Sequence, residues 1–115
     1  MGTQTLTRGE VWWVSFDPSL GGEIRKTRPA VIVSNNAANA VLNRVVVIPL
    51  TSKVAKLYPG EAFVELNGER RKAMADQIMT ASKQRLRSRI GSLSASDLAA
   101  VDDSILLHLG MAAKR

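Results

Sequence analysis

Apolar residues recur along this chain with two different periods, and the change between them falls near residue 94. In "GEVWWVSFD", Gly9 to Asp17, alternation predicts a strand with Trp12, Val14 and Phe16 on one face and Trp13 on the other. "PAVIVS" (Pro29–Ser34) and "RVVVIPL" (Arg44–Leu50) are β-branched runs too short for helices, so both predict buried strands. Between them, "NNAANAVLN" predicts a loop with a short helical turn. "AFVELN" alternates again, Asn67-Gly68 marks a tight hairpin, and "RKAMADQIM" (Arg71–Met79) predicts the return strand. Asp17-Pro18 and Gly21-Gly22 make one loop. Thr51 to Glu61, polar and basic with a Pro59-Gly60 turn, makes another.

From Ser94 the period becomes helical. Leu98, Val101, Ile105 and Leu109 share a face, Ser94 is placed to cap with Asp97 three residues on, and Gly110 ends the run. Short strands followed by one amphipathic helix predict a mainly β fold with a C-terminal α-helix. Its form is a small, strongly bent barrel with the helix packed beside it. The 115 residues read as one domain, with the barrel over about 8–93 and the helix over about 94–110.

Composition narrows the chemistry. No apolar run approaches the roughly 20 residues that span a bilayer, and the N-terminus lacks a signal-peptide pattern, so the expected location is the cytoplasm. Zero cysteines exclude disulfides and thiolate metal sites, and the single histidine, His108, argues against zinc. His108 lies between two leucines on the last helix and reads as structural. The chain reads as metal-free and without a cofactor. Sixteen Lys and Arg against ten Asp and Glu give +6, with residues 1–93 at +7 and residues 94–115 at −1. That surplus points to a polyanionic partner, either nucleic acid or an acidic protein.

Three features converge on one kind of site. "GGEIRKTRPAVIVSNN" puts Arg25, Lys26 and Arg28 directly before a buried strand, with Pro29 fixing the backbone behind Arg28. Thr51-Ser52 places two hydroxyls just past "VVVIPL", followed by Lys53. Asp76-Gln77 interrupts an otherwise strand-like run. A fixed arginine binds phosphate bidentately, and hydroxyls complete an anion-stabilising cluster. Cleaving RNA by attack of its own 2′-hydroxyl suits a site without Cys, His or metal, because the nucleophile arrives with the substrate. Each feature has a plainer reading. Arg28 forms a loop salt bridge to Glu23, Thr51 satisfies strand-end backbone groups, or Asp76 pairs with Lys72 or Arg71 across the strand. Trp13 serves a dimer interface or half-exposed packing, with base stacking a distant third reading. The basic run "KQRLRSR" (Lys83–Arg89) is a solvated face, a phosphate track or an anchor for an acidic peptide.

Four stretches in order carry a resemblance: "RGEVWWVSFDPSLGGEIRKTRPAVIVSNN", "VVVIPLTS", "YPGEAFVEL" and "ADQIMTASKQRL". Together, over about residues 8–110, they resemble the MazF/PemK/Kid toxins of bacterial toxin–antitoxin pairs. The resemblance implies an SH3-like barrel, a homodimer and a sequence-specific, metal-independent endoribonuclease. It implies cleavage of single-stranded RNA, messenger RNA above all, leaving 2′,3′-cyclic phosphate and 5′-hydroxyl ends. It implies an acidic antitoxin, with operator DNA reached only through that antitoxin. The family's catalytic arginine falls on Arg28 and its catalytic threonine on Thr51, with Ser52 and Lys53 beside it. Its "DQ" acid falls on Asp76 next to Gln77, and Glu23 matches a loop-shaping position close to Arg25 and Lys26. Met74 stands where some members carry an arginine, Ser82 replaces an aspartate, and Gly22 replaces a loop histidine. The competing class is a non-enzymatic barrel that binds single-stranded nucleic acid or a protein target such as DNA gyrase. With only five aromatic residues in the chain, a pure stacking platform is disfavoured.

Overall fold

The structure, a computed structural model, describes residues 5–16 and 27–111. Among these residues seven strands form one antiparallel sheet. They are β1 (Glu10–Ser15), β2 (Thr27–Ile32), β3 (Arg44–Thr51), β4 (Glu61–Leu66), β5 (Glu69–Met74), β6 (Met79–Ser82) and β7 (Leu86–Ser92). A short helix, α1 (Asn36–Val41), links β2 to β3, and α2 (Ala95–His108) follows β7. The strands run in the order β4-β5-β3-β2-β1-β7, with β6 also paired to β3. β3 changes partner along its length. Arg44 to Val47 pair with β6, whereas Leu50 and Thr51 pair with β5. Pro49, which has no N–H to give a ladder, sits between those two stretches. The result is a bent half-barrel with a terminal helix, as the apolar pattern predicts.

The central strands are covered on both faces, which explains why β2 and β3 read as continuous apolar runs. Val11, Val31, Ile48 and Leu50 point into one cluster, closed by Val101 of α2. Trp12, Val14, Ala30, Ile32 and Val47 alternate into a second cluster on the opposite face. Each fully buried Val or Ile contributes roughly 1.5–3 kcal/mol, so the middle of the sheet is its firmest part.

The sheet curls until its two ends approach. The β4–β5 turn has Asn67 at φ 53° and Gly68 at φ 83°, the left-handed pair that a two-residue hairpin with matching twist requires. At the far end of the strand order, β7 carries Gly91. A Cβ there would stand 3.3 Å from Asn67 Oδ1 and 3.6 Å from Leu66 Cδ1. Glycine therefore lets the hairpin tip lean on β7. Helix α2 locks this arrangement from the side. Ser94 accepts the Asp97 N–H at 3.1 Å as N-cap, and Asp97 Oδ2 accepts the Glu65 N–H of β4 at 2.9 Å. Arg8 bridges from the N-terminal segment to Asp102 of α2 and donates to the Val33 carbonyl at 2.8 Å.

Three expectations change. The strand predicted over Arg71–Met79 ends at Met74, and Ala75–Gln77 form a 3₁₀ turn before β6. The cause is a switch of backbone partners: Ala75 N–H donates to the Gly60 carbonyl at 3.0 Å, and Ile78 N–H to the Ala75 carbonyl at 3.1 Å. β6 and β7 flank a second 3₁₀ turn, Lys83–Arg85, and the charges of that turn and of β7 mask the strands around it. Lys83 and Arg85 are not free solvated groups there. They donate to the carbonyls of Asn39 at 2.6 Å and Ser15 at 3.2 Å. Leu109, predicted on the buried face of the helix, is exposed at its C-terminal cap.

Candidate active site

β2 and β3 pair with Ala30 opposite Pro49, Val31 opposite Ile48 and Ile32 opposite Val47. Carried two residues further, that register sets Arg28 level with Thr51, and Thr51 is itself paired with Lys72 of β5. Residues far apart in the chain are thereby brought side by side by strand register alone. They open into a cleft of about 540 Å³. Arg28, Thr51, Ser52 and Lys53 form its polar wall, and Trp13, Pro29, Leu50 and Met74 its apolar one, with Arg71 completing the rim.

The cleft is cationic and hydroxyl-bearing, a combination suited to a phosphodiester. Thr51 Oγ1 accepts the Lys53 N–H at 3.2 Å, so the hydroxyl both caps the end of β3 and lines the cleft. A hydroxyl has one donor and two acceptor positions, and this bond uses a single lone pair. The strand-end reading of Thr51 and the site reading therefore hold together.

The loop that carries Ser52 and Lys53 is pinned from below. Lys72 Nζ meets Glu61 Oε1 at 2.8 Å and donates to the Lys56 carbonyl at 2.7 Å. It also lies 5.2 Å from the Tyr58 ring centroid. Glu61 Oε1 accepts the Tyr58 N–H at 2.8 Å. Burial raises the Glu61 pKa, but the hydrogen bonds from Lys72 and the Tyr58 amide, with the Lys72 charge, outweigh it and hold the carboxyl below its ordinary value. Nothing in the residue pattern singled out Lys72 as a buried cation. The one local signal is its place directly before Ala73 and Met74, the apolar end of the strand.

Of the residues singled out by sequence, Arg28, Thr51, Ser52 and Lys53 come together. Glu23, Arg25 and Lys26 lie outside the described residues, and so does the Arg28–Glu23 salt bridge. Asp76 is exposed on the 3₁₀ turn and does not line the cleft. Gln77 touches it indirectly, donating to the sulfur of Met74 at 3.6 Å. Asp76 also does not pair with Lys72 or Arg71, because those cations take Glu61 and Glu69 instead. The 3₁₀ turn carries Asp76 off the strand face where such a pair would form. Trp13 and Arg71 are cleft residues that sequence reasoning did not place there.

A curved antiparallel sheet with a terminal helix carries a cationic, hydroxyl-lined cleft at one strand end, a combination chemically suited to an anion. Residues 7–109 match the family described as PemK-like, MazF-like toxin of type II toxin-antitoxin system, and the chain belongs to that family. It is 39% identical to "Endoribonuclease MazF9" of Mycobacterium tuberculosis, over 92% of this chain and 98% of that protein. The crystal structure of MazF from Deinococcus radiodurans superposes with a TM-score of 0.77 at 28% identity, covering 95% of this chain and all (100%) of that one. A MazE-MazF crystal structure from the same organism superposes at 0.74, with 27% identity over 96% of this chain and 100% of that chain.

Proposed function

We propose that this chain cuts single-stranded RNA at a specific sequence by directing the substrate's own 2′-hydroxyl at the adjacent phosphorus. The chain is an endoribonuclease of the MazF-like toxins, a reading supported by its family and by the 39% identical relative. That membership displaces the gyrase-binding and purely nucleic-acid-binding alternatives. One observation carries the mechanism: strand register sets Arg28 level with Thr51 in a shared cleft.

In the proposed reaction the 2′-oxygen bonds to phosphorus and releases its proton, while the P–O5′ bond breaks and the 5′-oxygen takes up a proton. The products are a 2′,3′-cyclic phosphate and a 5′-hydroxyl. Negative charge accumulates on the non-bridging oxygens as the phosphorus becomes five-coordinate. The Arg28 guanidinium offers two parallel N–H donors to those oxygens, and Thr51 offers a hydroxyl. Lys53 adds charge at the rim, and Ser52 a second hydroxyl. Asp76, exposed outside the cleft, is assigned no step in this reaction. The route calls only on fixed cations and hydroxyls.

The partner would be an antitoxin, a reading supported by the family and by the MazE-MazF structure of Deinococcus radiodurans, and the segment that binds would be acidic. A body at +7 over residues 1–93 attracts carboxylates as it does phosphates. Two such sites would exist in the homodimer expected for this family. The test is incubation with a long RNA in EDTA, followed by sequencing of 5′-hydroxyl ends. Cuts at one recurrent word, insensitive to chelation, are expected. Cleavage that stops with EDTA and returns with Mg²⁺ would overturn the mechanism.

A further inference from the structure

A second recess adjoins the cleft. It encloses about 310 Å³, at the lower end of the roughly 300–1,000 Å³ typical of ligand pockets. Trp13, Pro29 and Arg71 line both spaces and so form the ridge between them. Leu66 and Ile90 give the second recess an apolar floor, while Asn67 and Glu69 supply polar atoms. It exists because the hairpin tip leans on β7 at Gly91, bringing the two ends of the sheet together.

Two details of the ridge lack a structural explanation. Trp13 is 41% exposed, although its neighbour Trp12 is 4% exposed and fills the core. A large aromatic left partly open beside a cationic cleft presents a flat apolar face to solvent. Arg71 is held through its terminal nitrogen by Glu69 at 2.9 Å, but its Nε is buried without a hydrogen-bond partner. An orphaned guanidinium N–H is costly, so Arg71 is held on the ridge with donor capacity that folding does not use.

We infer that the second recess is a nucleobase subsite of the same RNA groove, in which the base next to the scissile phosphate stacks on Trp13 and is read by Arg71, Asn67 and Glu69. This rests on the nuclease reading above. With a phosphate held at Arg28 and Thr51, the strand continues over the ridge, and the first flat, apolar surface it meets is the indole. Stacking is tolerant of base identity. Discrimination then comes from the polar rim. The Arg71 guanidinium donates to a ring nitrogen or carbonyl oxygen, and the Glu69 carboxylate accepts from an exocyclic amino group. Trp13 is thus a specificity and affinity residue, distinct from the phosphate-binding pair.

The probe is a short RNA taken from the wild-type cut site with a single 2′-deoxy nucleotide at the scissile position. With Trp12 buried, this RNA should quench the emission of Trp13, and Trp13→Leu should abolish that quenching. On cleavable RNA, Trp13→Leu should raise KM about five- to a hundredfold, the range that base–aromatic stacking supports, with a much smaller change in kcat. Trp13→Phe should recover most of the KM without the signal. Glu69→Gln and Arg71→Gln should relax preference at one nucleotide beside the cut. A Trp13→Leu protein with wild-type KM and cut map overturns the subsite, as does one that changes oligomeric state, which would make Trp13 an interface residue. Should Trp13→Leu fail to fold, the Glu69→Gln cut map decides, and an unchanged map sinks the idea. A wild-type protein that cuts no RNA would instead remove the nuclease reading itself.

Discussion

On the row of the sheet running through Arg28, Thr51 and Lys72, two cations flank one hydroxyl and are treated in opposite ways. The Lys72 side chain is 7% exposed and meets a carboxylate, a carbonyl and an aromatic face. Arg28 is half-buried and opens into the cleft. A buried charge surrounded by partners holds structure, because removing any partner strands the others in low dielectric. A charge at the rim contributes little to folding and keeps its donors for a substrate anion. One strand row therefore separates the stabilising cation from the one proposed to bind substrate, and substitution at each should report on a different property.

The largest effect is expected at the pin. Lys72→Met leaves the part-buried Glu61 beside an apolar chain and should cost about 3 kcal/mol, read from urea unfolding. The double change Lys72→Met with Glu61→Leu should recover most of that loss. A single variant as stable as the parent would show that the pair does not hold the 52–60 loop. Arg28→Ala should show the converse. Cleavage should fall on the order of a hundredfold or more, while the unfolding midpoint corresponds to a change within about 0.5 kcal/mol. Arg28→Lys should recover little, since an ammonium cannot present two parallel donors. A folded Arg28→Ala protein with full activity would end the proposed mechanism.

The same contrast shows what sequence could reveal. β1 to β4 and α2 were legible because their burial is periodic and their ends carry local signals: Asn67-Gly68 at the hairpin, Ser94 at the helix cap. Arg28 and Thr51 were legible as neighbours of apolar runs, but their meeting depends on the β2–β3 register, a long-range property that no local pattern encodes. β6 and β7 escaped because Lys83 and Arg85 look solvated in sequence, yet spend their charge on backbone carbonyls. The 3₁₀ turn at Ala75–Gln77 escaped for the same reason, since its cause is the distant Gly60 carbonyl. Lys72 reads as an ordinary surface lysine until the loop over it is seen.

A smaller effect separates the two halves of the cleft wall. Thr51→Val removes a hydroxyl that accepts the Lys53 N–H and, on the proposed mechanism, donates to the reacting phosphate. Loss of one neutral donor should lower kcat about tenfold, with RNA affinity changing less. Equal losses in kcat and affinity would make Thr51 a docking residue rather than a transition-state one.

The smallest effect is a dependence on acidity that belongs to the pin and not to the cleft. Glu61 is held below its ordinary value of 4.5 in the folded chain, despite burial, by Lys72 and the Tyr58 amide. A carboxyl with a depressed folded pKa adds stability that is fully present above its unfolded value and is lost as pH falls through the folded one. The parent should therefore lose part of its stability between about pH 5 and more acidic conditions, and Glu61→Gln should lose less. In Lys72→Met the balance reverses. Without the ammonium, burial dominates and favours the protonated carboxyl, so acidification should relieve the stranded charge. The gap in urea midpoint between the parent and Lys72→Met should then narrow as pH falls from about 7 to about 4. A gap that stays constant would mean that Glu61 is not charged against Lys72 in the folded protein, and the contrast between a structural and a reactive cation would lose its electrostatic basis.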